Sequence, residues 1–141
     1  MILNNFDIRA CYADTDAAGV IHHARYLEFF ERSRTEWLER SNAGPIKLAK
    51  DQGLILVIRE TLLKFKQPGR LNDILIFSHE ITHRGKSQLT VEQVVYRKPG
   101  SESGYEPSKL ASATFHLVCV DLATLRSTPL PDDILAPLEN N

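Results

Sequence analysis

Residues 12–41, YADTDAAGVIHHARYLEFFERSRTEWLERS, form the stretch that decides the fold. An acidic turn containing Gly19 comes first, and the segment from Ala24 to Ser41 that follows has neither Gly nor Pro. Apolar side chains recur in this segment every three to four residues, which is typical of a helix with one buried face. The pattern predicts a helix of about 20 residues, roughly 30 Å long, which Gly44-Pro45 ends. The apolar positions are Tyr26, Leu27, Phe29, Phe30, Trp37 and Leu38.

Alternating apolar and polar side chains predict strands on both sides of this helix. A short turn with a glycine, Arg84–Ser87, predicts a hairpin between two of them. We therefore expect an α+β fold, with a five- to six-stranded, mainly antiparallel sheet wrapped around one long central helix. After Thr128, three prolines predict a short final strand end and a loose terminus. The predicted strands are residues 6–12, 54–66, 73–83, 88–98 and 110–121.

The composition is that of a single globular domain spanning residues 1–141, with 43% hydrophobic and 25% charged residues. A formal net charge of -1 argues against general affinity for nucleic acid or anionic membranes. The first residues have neither a basic start nor an apolar run, so we expect no signal peptide, no membrane span and a cytoplasmic location. Cys11 and Cys119 are expected to be reduced and buried.

The acidic turn carries groups that can take part in catalysis: a carboxylate, a glycine and free backbone donors. Asp16 lies just before the helix, where a carboxylate can act as general base or as nucleophile. Gly19 allows the backbone to approach a ligand closely. The free N–H groups of the first helical turn, around His22 and His23, predict an oxyanion hole at the positive end of the helix dipole.

Structural roles are possible for the same residues. Asp14 and Asp16 are both candidates for turn formers or helix caps, and we expect this role for Asp14. His22 and His23 could bind a metal, but neighbouring side chains on a helix point about 100° apart and no third ligand is suitably spaced, so no metal is expected. Glu31 is expected to form a solvated salt bridge with Arg34. Core packing, or a strand position without chemistry, is expected for Phe29, Phe30, His79, His83 and His116.

The acidic turn and the helix resemble the signature of the 4-hydroxybenzoyl-CoA thioesterase family, which has the hotdog fold. Within that family, the sequence is most similar to the YbgC-like acyl-CoA thioesterases. The resemblance continues through FKQPGRLND at residues 65–73 and through residues 113–131, so it covers nearly the whole chain. The matching motif consists of Asp-Thr-Asp at 14–16, Gly-Val at 19–20, His23, and YLEFFERSR at 26–34.

The resemblance implies hydrolysis of an acyl-CoA to a free acid and coenzyme A, without a cofactor or metal. It implies that Asp16 is the catalytic carboxylate, as base or nucleophile, that the N–H near His23 polarises the thioester carbonyl, and that the His23 side chain assists. It also implies sites between two subunits, hence a homo-oligomer, either a dimer or a tetramer. Tyr12 and Tyr26 are candidates for the edge of the acyl pocket, beside Gly19 and His22.

Coenzyme A carries several phosphate charges, so a locally basic surface is expected. The candidates for this surface are Arg84, Lys86, Ser87 and Lys64, with Lys66 and Arg70 as weaker ones, although an ordinary polar turn explains the first three equally well. Two other functions are possible: a non-catalytic acyl-CoA binding protein, which does not need Asp16, and a hotdog hydratase or dehydratase. The acyl group could be short, long or aromatic.

Overall fold

The structure is a computed structural model, and it describes residues 2–3 and 6–139. Six strands and three helices form the chain in the order β1, β2, α1, α2, β3, β4, β5, β6, α3, with a short 3-10 turn at Tyr12–Asp14 before α1. The strands are β1 Ile2–Leu3, β2 Ile8–Arg9, β3 Leu54–Phe65, β4 Ile74–Arg84, β5 Gln88–Arg97 and β6 Lys109–Asp121. The helices are α1 Arg25–Leu38, α2 Pro45–Gln52 and α3 Ala136–Glu139.

All six strands belong to one antiparallel sheet. Its order is β1-β4-β5-β6-β3, and β2 also pairs with β4. The predicted hairpin is confirmed, since β4 and β5 pair from Leu75 with Arg97 to Arg84 with Leu89. The five- to six-stranded antiparallel sheet is therefore also confirmed.

One face of the sheet packs on α1. In β6, every second side chain from Ala111 to Cys119 is buried, whereas the side chains between them are half-exposed. Phe30 of α1 meets the rings of Phe77 and Phe115 at centroid distances of 6.2 and 5.9 Å. Burying each such ring stabilises the fold by about 2–3 kcal/mol. The apolar positions of the helix are buried as predicted, and so is Cys119, except that Leu27 is exposed.

The predicted helix over residues 24–41 is too long. The helix α1 has 14 residues and a length of about 21 Å. It ends because the Ser41 hydroxyl supplies hydrogen bonds at its C-terminus. This hydroxyl donates to the Leu38 carbonyl at 2.8 Å and accepts from the Ala43 N–H at 3.0 Å. A second helix, α2, then begins at Pro45, which stands at the first helical position, where proline is favoured.

The first strand and the C-terminal segment also differ from the predictions. Only Ile8–Arg9 forms a strand, because the chain bends at the 3-10 turn, although Ala10 still exchanges hydrogen bonds with residues 72 and 73. Cys11 is exposed at this bend rather than buried. The segment after Thr128 is packed rather than loose, with Leu130, Ile134, Leu135 and Leu138 buried in the core.

The predicted salt bridge between Glu31 and Arg34 is wrong. Arg34 points into the protein, with 6% of its surface exposed, and it donates to the Gln93 side chain at 2.9 Å.

Among the described residues, no helix is long and apolar enough to span a bilayer.

Candidate active site

Asp14 holds the acidic turn against the start of α1. Its buried carboxylate accepts hydrogen bonds from the Cys11 N–H at 2.9 Å and from the Cys11 thiol at 3.2 Å. Its other oxygen accepts from Nε and Nη2 of Arg25, at 3.1 and 2.9 Å. Burial alone would raise the pKa of Asp14, but these hydrogen bonds outweigh it and hold the pKa below its usual value. The turn role predicted for Asp14 is therefore confirmed.

Asp16 lies two residues further on, at the exposed tip of the turn. Its Oδ1 accepts the N–H groups of Ala18 at 2.9 Å and Val20 at 3.4 Å, which fixes the direction of the carboxylate. Its backbone closes the same loop, accepting from the Gly19 N–H at 3.0 Å and donating to the Val20 carbonyl at 2.9 Å. Within the part of the chain that the structure describes, Oδ2 has no hydrogen-bond partner. This oxygen is free to contact a water molecule or a substrate.

Gly19 gives the loop its shape and leaves one side of it open. Its φ of +77° lies in the left-handed region that side chains disfavour, and no atom lies within 4 Å of the place where a Cβ would stand. The loop is fastened to the segment between β3 and β4, because the Ile21 N–H donates to the Gly69 carbonyl at 2.8 Å and the Leu71 N–H donates to Gly19 at 3.2 Å.

His22 and His23 are both exposed and lie just before α1. Their rings stack, with centroids 4.5 Å apart and planes at 23°. The prediction that the two side chains diverge is wrong, because it assumed helical geometry, whereas the helix begins only at Arg25. Among residues 2–3 and 6–139, no group of three or more His, Cys, Asp or Glu side chains is arranged to hold a metal ion.

The backbone N–H groups before α1 are not equally available. The His22 N–H donates to the Asp14 carbonyl at 2.9 Å, and the Ala24 N–H donates to Nδ1 of His22 at 3.2 Å. The His23 N–H between them has no acceptor among the described residues. It lies at the positive end of the helix dipole, so it can donate to an oxygen that becomes negative.

Tyr12 and Tyr26 occupy opposite environments. Tyr12 is 84% exposed beside the acidic turn, whereas Tyr26 is buried, which raises the pKa of its phenol. The Tyr26 hydroxyl accepts the Gly69 N–H at 3.2 Å. Tyr26 therefore supports the segment to which the Asp16 loop is fastened. This role was not predictable from the sequence, because it depends on a contact between residues 43 positions apart.

That segment also contacts the polar loop between β5 and β6. The guanidinium carbons of Arg70 and Arg97 lie 4.6 and 5.4 Å from the centre of the Tyr105 ring. Arg97 is buried, and its Nε lies 2.8 Å from Asp73 Oδ2. Asp73 accepts the Arg70 N–H at 2.7 Å, so the ion pair and the Asp16 loop share one support.

The basic candidates for coenzyme A binding are divided between two ends of the sheet. One group lies at the end of β4 and just beyond it: Arg84, Lys86 and Ser87. The acidic turn is anchored near Ile74, at the other end of the same strand, which is about 30 Å long. Arg84 donates to the Pro131 carbonyl at 2.7 Å. Lys64, by contrast, lies near the end of β3 that leads into the Gly69 segment, as do Lys66 and Arg70.

The fold and the acidic turn define a hotdog-fold thioesterase. The sequence model of the thioesterase-like superfamily matches residues 12–138, so the chain belongs to this family. The chain is 33% identical to the acyl-CoA thioesterase YbgC of Haemophilus influenzae over 132 residues, covering 94% of this chain and 91% of the relative. It is also 33% identical to the acyl-CoA thioester hydrolase YbgC of Escherichia coli O157:H7, over 95% of this chain and 94% of the relative.

A solved structure confirms the fold. The probable thioesterase from Bartonella henselae superimposes with a TM-score of 0.77 at 28% identity, covering 92% of this chain and all (100%) of the other. The hotdog prediction and the resemblance to the YbgC-like branch are thus both confirmed.

Proposed function

We propose that this protein hydrolyses an acyl-CoA thioester to a free carboxylic acid and coenzyme A. One observation carries the proposal: a carboxylate oxygen of Asp16 and the N–H of His23 both lack partners among the described residues and are separated by only seven positions. Thioester hydrolysis needs these two groups, one to deliver the attack and one to stabilise the oxyanion. The YbgC relatives are acyl-CoA thioesterases, which supports this substrate class.

In the proposed reaction, the thioester carbonyl oxygen accepts a hydrogen bond from the backbone N–H of His23. Asp16 Oδ2 delivers the attack on the carbonyl carbon, either through a water molecule or directly. As a general base, Asp16 takes a proton from water, whose oxygen bonds to the carbon as the C–S bond breaks. As a nucleophile, Asp16 forms an anhydride with the acyl group and water then hydrolyses it. In both routes the sulfur leaves with its bonding electrons and takes up a proton. His23 is proposed to supply that proton, and Gly19, His22 and Tyr12 to border the reacting group.

We further propose that the enzyme works in the cytoplasm as a dimer or a tetramer. Among the described strands, β3 pairs only with β6, so its second edge has no partner. This edge strand exposes Val57, Ile58, Leu62 and Phe65 by 38 to 54%, and exposed apolar edges are usually covered. Because Arg84, Lys86 and Ser87 lie far from Asp16, they are proposed to reach coenzyme A only from a second subunit. Lys64 is proposed to contact the phosphates from the nearer end.

The decisive experiment is a thiol-release assay on short, long and aromatic acyl-CoAs with wild type and Asp16→Asn. We expect a fall in kcat/KM of about a hundredfold or more, because loss of a general base or nucleophile costs at least that. The matched control is Asp51→Asn, an exposed aspartate in α2, which should leave turnover unchanged. Equal turnover in wild type and Asp16→Asn would refute the assignment.

The assay also separates the two other functions. A non-catalytic binding protein would bind the same panel of thioesters without releasing thiol. A hydratase would change the absorbance of an enoyl-CoA and leave its thioester intact.

A further inference from the structure

A cavity of about 520 Å³ lies where β4, β5 and β6 meet the loop of residues 98–108. Its volume is within the range of small-molecule sites, roughly 300–1,000 Å³. Most of its wall is apolar and consists of Ile76, Tyr96, Pro99 and Pro107. Ile76 and Tyr96 alternate along their strands with buried residues, so they belong to the face of the sheet that points away from α1. Neither the acidic turn nor His23 borders this cavity.

Ser78 contributes an unpaired hydroxyl group to the wall. The residue is only 1% exposed, and its Oγ has no hydrogen-bond partner among the described residues. Buried hydroxyl groups are normally hydrogen-bonded, because a buried polar group without a partner destabilises the fold. A ligand that forms a hydrogen bond with Ser78 would remove this penalty. The deep end of the cavity therefore favours a ligand with a polar group.

Lys109 gives the cavity a positive charge. Its side chain is exposed, and it forms no ion pair or hydrogen bond with any residue that the structure describes. The other cation on the wall, Arg97, is already paired with the Asp73 carboxylate at 2.8 Å. No Asp or Glu among the described residues lines the cavity. The open side of the site therefore favours an anion.

The sheet fixes the distance between these two polar groups. Tyr96 of β5 is the cross-strand neighbour of both Ile76 in β4 and Lys109 in β6, and Ser78 lies two residues further along β4. With strands about 4.8 Å apart and about 3.4 Å between residues along a strand, the Cα atoms of Ser78 and Lys109 are about 12 Å apart. A ligand that contacts both side chains must therefore be elongated, and its middle must pack against Tyr96.

We propose that this cavity binds a small phenolic acid, with its hydroxyl group at Ser78, its ring against Tyr96 and its carboxylate at Lys109. An aromatic ring suits the apolar wall, because aromatic rings bury a large area and pack favourably on one another. A hydroxyl group can both donate to and accept from the Ser78 hydroxyl. A ring with a two-carbon chain to the carboxylate, as in 3-(4-hydroxyphenyl)propionate, has the elongated shape that the two polar groups require.

The first test is calorimetric titration of the full-length protein with 3-(4-hydroxyphenyl)propionate and two analogues. The analogue 3-phenylpropionate lacks the hydroxyl group, and 3-(4-hydroxyphenyl)propan-1-ol lacks the carboxylate. We expect saturable binding of the phenolic acid, about tenfold tighter than binding of 3-phenylpropionate, which leaves the Ser78 hydroxyl unpaired. Absence of saturable binding, or equal affinity for these two acids, would overturn the proposal.

The carboxylate should contribute less than the hydroxyl group. The phenolic acid should bind about two- to fivefold tighter than the alcohol, because an ion pair with an exposed lysine is weak. This preference should shrink at high salt, which screens exposed charges. A preference for the alcohol would refute the role of Lys109.

Three variants test the residues. Ser78→Ala should lower the affinity for the phenolic acid to that for 3-phenylpropionate, and it should leave binding of 3-phenylpropionate unchanged. Lys109→Gln should remove the preference for the acid over the alcohol, whereas the control Lys50→Gln, which changes an exposed lysine of α2, should keep it. Ile76→Trp should block all three ligands by filling the cavity. Unchanged binding of the phenolic acid in folded Ser78→Ala or Ile76→Trp would contradict the assignment.

The variant Asp16→Asn distinguishes this cavity from the candidate active site. Because Asp16 does not line the cavity, the variant should bind the phenolic acid with wild-type affinity. A tenfold or larger change in affinity would place the ligand at the acidic turn and overturn the proposal. The titrations do not depend on turnover, so the thioesterase proposal and this one can fail separately.

Discussion

The Asp14→Asn substitution should destabilise the protein and weaken its activity together. The carboxylate of Asp14 is 4% exposed and accepts four hydrogen bonds, two from Cys11 and two from Arg25. An amide has only one acceptor oxygen, and its NH2 group would face donors. One set of donors therefore loses its acceptor, which costs about 1–3 kcal/mol for hydrogen bonds involving a charged group. For a domain of this size, the loss corresponds to a fall in Tm of about 3–12 °C.

The same substitution should also change how stability depends on pH. Hydrogen bonds from Cys11 and Arg25 hold the folded-state pKa of Asp14 below the ordinary value of an aspartate. The unfolded state therefore binds the proton more tightly, so the contribution of Asp14 is complete above about pH 4 and is lost as the pH falls through the folded pKa. Wild type should lose stability over this acidic interval more steeply than Asp14→Asn.

Urea unfolding and thermal melts of wild type, Asp14→Asn and Asp51→Asn, from pH 3 to pH 7, measure both effects. Asp51 is an exposed residue of α2, so its variant controls for the loss of one charge. If Asp14→Asn melts at the same temperature as Asp51→Asn at pH 7, the bonds from Cys11 and Arg25 do not stabilise the turn. If thiol release by Asp14→Asn equals that of wild type, the position of Asp16 does not depend on this anchor.

Three further predictions concern Gly19, His79 and Asp73. Gly19→Ala and Gly100→Ala both place a side chain at positive φ in open space. Each should lower the free energy of unfolding by about 1 kcal/mol, but only Gly19→Ala should lower kcat/KM. An equal effect of both on turnover would contradict the role of Gly19 as an open backbone position. Burial lowers the pKa of His79 to about 3, so its side chain stays neutral in the folded protein. The free energy of unfolding of wild type should therefore fall by about 2 kcal/mol between pH 7.5 and pH 5. Urea titration of His79→Gln should not show this fall. Asp73→Asn breaks the buried pair with Arg97 and should cost about 3–5 kcal/mol in urea unfolding; a cost below about 1 kcal/mol would show that the pair is not stabilising.

Local patterns were sufficient to predict one strand before α1 and the four strands from β3 to β6, but they did not predict β1, α2 or α3. The buried faces of α1 and β6 follow directly from the spacing of their apolar residues, because side-chain direction repeats every 3.6 or 2 residues. The ends of the elements were harder to predict. The Gly44-Pro45 pair was interpreted only as a helix stop, yet Pro45 also begins α2, and the end of α1 depends on the Ser41 side chain.

The candidate site shows the same division. The turn role of Asp14 was predictable from the motif, whereas the catalytic role of Asp16 stays a prediction. The support from Gly69, Tyr26 and Asp73 was not predictable, because these contacts join residues that are far apart in the chain and whose pairing depends on the assembled sheet. For the same reason, nothing local revealed that Arg34 points inward to Gln93 rather than outward to Glu31.

The contact of Tyr105 with Arg70 and Arg97 makes an otherwise ordinary surface loop a poor place for insertions. Residues 99–107 are mostly exposed and contain two glycines at positive φ, Gly100 and Gly104, features that usually mark a tolerant site for an affinity tag or a fused peptide. Here an insertion that displaces Tyr105 would remove an aromatic contact from both arginines, next to the segment that carries the Asp16 loop. A reporter peptide placed after Gly104 should therefore register as a change in catalytic rate. The turn at residues 122–126, whose contacts lie near the far end of β6, is the better position for a silent label.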